Sequence, residues 1–163
     1  MGARQGNLIV SASITVSYDE LRSALKKEID CLKNINYLGP YVSPTDLNEM
    51  YNEIDISWIC YPYSDKSYGN WQLAQTNRFY ESGFFKVPMI SSKGTLDSIK
   101  VCKYNIGLVL DLSNLDKCVD KIGSITSNDI ENWKKNIESL NKENFVIDSD
   151  YNKLINFVKN CIK

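Results

Sequence analysis

"TNRFYESGFFKVPMISSKGT", Thr76 to Thr95, is the stretch on which the architecture turns. Its first half has helical spacing, with Phe79, Phe84 and Phe85 suited to one side of a helix from about Thr76 to Phe85. Its second half reads as a short buried strand near Val87 to Ser91, followed by a loop in which Gly94 can take backbone angles closed to other residues. Glu81 lies inside the helical apolar stripe, where folding alone gives no strong reason for a carboxylate. The plain alternative is a surface charge paired with Arg78, three residues earlier on the same helix.

Outward from this stretch, apolar runs and amphipathic segments alternate. "LIVSASITV", Leu8 to Val16, reads as a buried strand, and the segment after it as a helix with Ser17 as N-cap and Leu21, Leu25, Ile29 and Leu32 on one face. "INYLG" is a second strand. "SPTDLNEMYNEI" reads as a helix with a Ser-Pro start and Leu47, Met50 and Ile54 on one face. "DISWICYP" is a third strand, with Trp58 expected in the core. After the central stretch come a short helix at "LDSIKVCKY", a strand at "IGLVLDL", two helices with Ser or Asn caps, and a closing helix with Tyr151, Leu154, Ile155 and Val158 on one face.

Strands that are apolar on both faces and alternate with helices indicate a parallel sheet covered on each side. The expected fold is therefore α/β, a doubly wound, Rossmann-like parallel sheet with helices on both faces, whose ligands sit beyond the carboxyl ends of the strands. Residues 1–7 read as a loose or appended lead, and 8–163 as a single domain.

The bulk numbers exclude several classes. A formal net charge of -1 in 163 residues gives no basic face for nucleic acid. No apolar run approaches the roughly 20 residues that span a bilayer, and no signal-peptide pattern opens the chain, which points to the cytoplasm. Five scattered cysteines without C-x-x-C read as reduced thiols. With no histidine, Ser-His and Cys-His catalysis within this chain is excluded, and no metal site is expected.

Three loops follow strands. "GPYVSP" offers an exposed Tyr41 for stacking on a base. "YPYSDKSYGNWQLAQTN" carries Tyr63, Tyr68 and Trp71, each suited equally to a sugar or to a surface. It runs into the helix of Glu81, where Thr76 would act as cap and the first amides would suit phosphate. "SSKGT" is the third. Glu81, roughly 7 Å along the helix from that start, has the acceptors for a ribose diol.

These residues carry a likeness. "INYLGPYVSPTDLNEMYNEIDISW", "NRFYESGFFKVPMISSKGT" and "NIGLVLDLSNLDKCVDKI" resemble, in order, three segments of group-1, family-4-like glycosyltransferases with the GT-B fold. The likeness runs from about Leu8 to the C-terminus and is most specific around Glu81. It implies the C-terminal, nucleotide-sugar donor-binding half of such an enzyme. Glu81 would then hold the donor ribose. Gly69, Asn70, Gln75, Thr76 and Asn77 would meet the sugar and diphosphate, and Tyr41 and Val42 would lie against the base. Arg78 stands where the family has lysine and would supply positive charge, or else Lys66 and Lys93 would. Leu73 stands where the family often has a second glutamate, Lys86 where it commonly has glycine, and the family's "GR...KG" basic pair has no counterpart before Leu8.

The resemblance further implies a hexosyltransferase, retaining and independent of metal, that uses a UDP- or GDP-linked donor without other cofactor and serves polysaccharide or glycolipid synthesis. Acceptor positioning and the catalytic residues would belong to an N-terminal domain of the same enzyme, with any peripheral membrane association through that half. The chain alone is expected to bind nucleotide weakly and to transfer little. The competing expectation is a non-catalytic, Rossmann-like binding or regulatory module. A phosphoacceptor regulator is disfavoured because "TVSYDE" lacks clustered aspartates after the first strand.

Overall fold

The computed structural model describes residues 8–9, 35–36, 38–39, 41–61, 73, 75–146 and 148–161, and the chain divides into two compact units, Met1–Met50 and Tyr51–Lys163. It is a mixed α/β structure. In the first unit β1 (Leu8–Ile9) pairs in parallel with β2 (Ile35–Asn36), Leu8 opposite Ile35 and Ile9 opposite Asn36. The rest of the strand expected to Val16, and the helix after it, lie outside the described residues.

The Ser-Pro helix start is corrected. The Ser43–Pro44 bond is cis. The Asp46 amide donates to the Val42 carbonyl at 2.9 Å, and the Asp46 carboxylate accepts from the Val42 amide at 2.8 Å. This reciprocal pair holds 42–46 as a turn, so helix α1 (Leu47–Asn52) begins after it and ends before Ile54.

The second unit is built on a three-stranded parallel sheet in the order β3 (Ser57–Trp58), β4 (Met89–Ser92), β5 (Gly107–Leu110). Helix α2 (Asn77–Phe84) joins β3 to β4, and α3 (Leu96–Tyr104) joins β4 to β5. Both crossovers step the same way across the sheet, so their shared handedness places both helices on one face. Then follow α4 (Leu115–Gly123), α5 (Ser127–Ser139), a 3₁₀ turn at Lys142–Asn144 and α6 (Asp148–Cys161). The cap of α4 is Asn114, as expected; that of α5 is Thr126 rather than a serine or asparagine. Thr126 wins because its amide donates to the carboxylate of Asp129, three residues on, at 2.8 Å, closing a capping box.

All four residues of β4 are buried. Alternation along a strand sends neighbours to opposite faces. Met89 joins Phe79 of α2, Val101 of α3, Ile137 of α5 and Phe145 in one apolar cluster. Ile90 joins Leu110 and Cys118 of α4 in another. On edge strand β3 the same alternation buries Ser57 and Ile59 and leaves Trp58 46% exposed, which corrects its expected core position. Phe84 is likewise exposed while Phe79 is fully buried, so the apolar stripe of α2 is narrower than its sequence suggests. On α6, Leu154, Ile155 and Val158 are exposed.

Lys86 explains itself through backbone geometry. Val87 N–H bonds the Ser82 carbonyl at 2.8 Å, and Lys86 N–H bonds that of Gly83 at 3.3 Å. This is the Schellman ending of α2, and it requires the left-handed region at Lys86, where φ is 61°. Asn105 closes α3 in the same way at φ 48°, with Ile106 N–H on the Val101 carbonyl at 3.1 Å. A left-handed L-residue costs about 1–2 kcal/mol, and glycine's extra unfolded-state freedom returns part of that. Lys86→Gly is therefore expected to stabilise the fold by about 0.5–1 kcal/mol in equilibrium denaturation, whereas Lys86→Ala gains nothing. An equal response to both substitutions would contradict this account.

Candidate functional site

The site expected from the sequence centres on α2, and its geometry starts at the helix mouth. Thr76 is the N-cap: its Oγ1 accepts from the Phe79 amide at 3.0 Å. The same hydroxyl donates to Asp97 Oδ2 at 2.8 Å, and the Thr76 amide lies 3.3 Å from both Asp97 oxygens. Asp97 is fully buried in the first turn of α3, whose own cap is Thr95. One carboxylate thus ties the starts of two helices together. Burial pushes its pKa above the ordinary carboxylate value; the Thr76 bonds and the charge of Lys100 oppose that. Nothing in the sequence marked Asp97 beyond its place two residues after a threonine cap.

Next to the mouth, Gln75 is partly buried. Its Oε1 accepts from Tyr80 Oη and from Lys100 Nζ, both at 2.9 Å, while its Nε2 is buried with no partner among the described residues. Asn77 is exposed at the first helical position, and Arg78 is partly buried beside it. The Thr76 amide is already engaged by Asp97, so donors for a phosphate must come from the turn that follows.

Glu81 lies one turn further along. It is partly buried and accepts a hydrogen bond from Tyr51 Oη at 3.0 Å. Tyr51 is 4% exposed, in the last turn of α1, and its ring stacks on Phe85 with centroids 5.0 Å apart and planes at 10°. Burial first, and the Glu81 charge beside it, hold its phenol far above the usual range; the Ser82 and Ser57 hydroxyls act the other way. Ser82 Oγ is buried with no hydrogen-bond partner among the described residues. The glutamate in the apolar stripe therefore has an internal partner 30 residues away, which no local pattern in the sequence signals.

At the carboxyl ends of the strands, the Tyr61 amide donates to Ser92 Oγ at 3.1 Å. Gly94 takes φ +87°, as expected of the "SSKGT" loop. Lys93 Nζ lies 2.9 Å from Asp111 Oδ2 at the end of β5. Bonds from Ser113 and then from Lys93 hold Asp111 down to about 2. The positive charge expected of Lys93 is thus directed at a carboxylate of the same chain.

Tyr41, partly buried, and Val42, exposed, belong to the first unit, where Val42 is held by the Asp46 turn. Gly69, Asn70 and the loop residues Tyr63, Lys66, Tyr68 and Trp71 lie outside the described residues. Among the described residues, no helix is long and apolar enough to cross a membrane.

No family model matches the chain, and no solved structure matches it. Over 114 residues it is 27% identical to the succinoglycan biosynthesis protein ExoL of Rhizobium meliloti (strain 1021). That match covers 70% of this chain and spans 28% of the relative's length.

The Asp97 carboxyl gives a pH test. Its folded pKa is raised above 3.8. From that value up to the raised one the folded chain keeps a proton that the unfolded chain has released, so stability falls as pH rises through the window. Asp97→Asn, which keeps an acceptor for the Thr76 amide, is expected to flatten this part of the curve in denaturation series from acid to neutral pH. A variant curve parallel to wild type would show that Asp97 does not generate it.

Proposed function

We propose that the chain is the nucleotide-sugar donor-binding part of a GT-B-type glycosyltransferase, a doubly wound Rossmann-like half that works with an N-terminal acceptor domain. The observation that carries the reading is Glu81, a partly buried carboxylate on a helix that starts at a threonine-capped mouth after a parallel strand. The similarity to a succinoglycan biosynthesis protein supports a place in polysaccharide synthesis. The likeness to group-1, family-4-like sequences supports the donor role.

In this reading Glu81 accepts from the ribose diol of a UDP- or GDP-linked hexose. The first turn of α2, through its amides and the dipole, receives the diphosphate about 7 Å away. Fixed donors there stabilise the charge that grows on the departing diphosphate, so this half lowers the barrier through the leaving group, without metal. Asn77 and Arg78 stand at that turn, with Gln75 before it. Gly69 and Asn70 precede it in the sequence. The acceptor hydroxyl, the groups that position it, any membrane association and the retaining outcome belong to the whole enzyme, which works in the cytoplasm.

A second reading, a non-catalytic binding or regulatory module, has an observation of its own in its favour. The Tyr51 bond satisfies Glu81 from within. Calorimetry with UDP and GDP separates the two. Glu81→Ala is expected to weaken nucleotide binding by about 1.5–3 kcal/mol, because a charge-assisted bond to the diol is lost. Equal affinities in the two proteins would assign Glu81 to the module reading.

A further inference from the structure

We infer that Tyr51 is a positioning residue for Glu81, setting the carboxylate in one orientation before any nucleotide arrives; this rests on the donor-site reading above. A glutamate side chain on a helix surface has three rotatable bonds, and freezing them opposes binding. Here the freezing is already done. The Tyr51 hydroxyl donates to Oε2 at 3.0 Å. The ring that carries it is buried and held by its near-parallel stack on Phe85, four residues beyond Glu81. Phe85 is in turn fixed by its amide, which bonds the Glu81 carbonyl at 2.9 Å. The contact closes on itself: Glu81 backbone, Phe85 ring, Tyr51 ring, Glu81 carboxylate.

The chemistry divides the carboxylate. Of its roughly four acceptor positions the phenol takes one, on Oε2. Oε1 and the second lone pair of Oε2 remain for a vicinal pair of hydroxyls, whose spacing they match. Towards the carboxylate the tyrosine hydroxyl can only donate, because an ionised carboxylate has no proton to give. Phenylalanine would keep the stack and drop the bond, so the ring's packing and the hydroxyl's aim can be separated by one atom.

The test compares UDP with 2′,3′-dideoxy-UDP by calorimetry on the 163-residue chain, wild type and Tyr51→Phe. Wild type is expected to prefer UDP. Tyr51→Phe is expected to lose roughly threefold to tenfold of that preference, with its affinity for the dideoxy nucleotide unchanged, because only the diol reads the carboxylate's orientation. A purely structural tyrosine would lower both affinities together. An undiminished preference in Tyr51→Phe would overturn the inference and leave the donor site standing. Absence of binding by wild type would overturn the donor site, and the inference with it. Should Tyr51→Phe fail to fold, Phe85→Leu removes the stack that holds the phenol while leaving Glu81 itself unchanged, and it must show the same selective loss.

Discussion

The hydroxyl of Thr76 receives the Phe79 amide and gives its own proton to the buried Asp97. The arrangement of the second unit depends on this relay. It fixes where α2 begins and with it the register, and sliding the chain by one residue along the helix would turn every side chain on it by about 100°. Phe79 would then leave the apolar cluster, and Glu81 would swing away from Tyr51. A buried carboxylate is unfavourable unless well bonded, and here the amide and the hydroxyl of Thr76 both donate to it.

Much of the second unit was legible in the sequence because its signals are local. "TNRFYESGFF" carries its cap and its spacing within ten residues, and the helix appears at Asn77–Phe84 behind Thr76 as expected. "MISS" and "GLVL" declared themselves as strands by short apolar runs between glycine, lysine and asparagine. The failures share a different cause. The sequence points Trp58 into the core because periodicity does not reveal that β3 is an edge strand of the described sheet. The Ser-Pro helix start fails because the Asp46 carboxylate takes the Val42 amide and holds 42–46 as a turn, a bond that residue types alone do not announce.

The site itself was legible only in part. Glu81 stood out because it broke an apolar pattern, and Thr76 because it preceded a helix. Tyr51 and Asp97, the two groups that touch them, are 30 and 21 residues away and resemble any other helix residue. Long-range pairing of this kind follows from topology, which brings the end of α1 and the start of α3 to the flanks of α2. The left-handed backbone at Lys86 shows the converse. A residue that departs from a glycine pattern still sits in the geometry the glycine would have served.

The thiols fall into two environments with a practical outcome. Cys60 donates its S–H to the Ile90 carbonyl at 3.4 Å, and burial pushes its pKa up to about 12, so almost none of it is thiolate at neutral pH. Cys118 is buried too, whereas Cys102 on α3 and Cys161 on α6 are exposed. Among the described residues, then, electrophilic dyes will distinguish surface from interior unaided. A fluorophore at Cys102 would ride on the helix whose first turn holds Asp97.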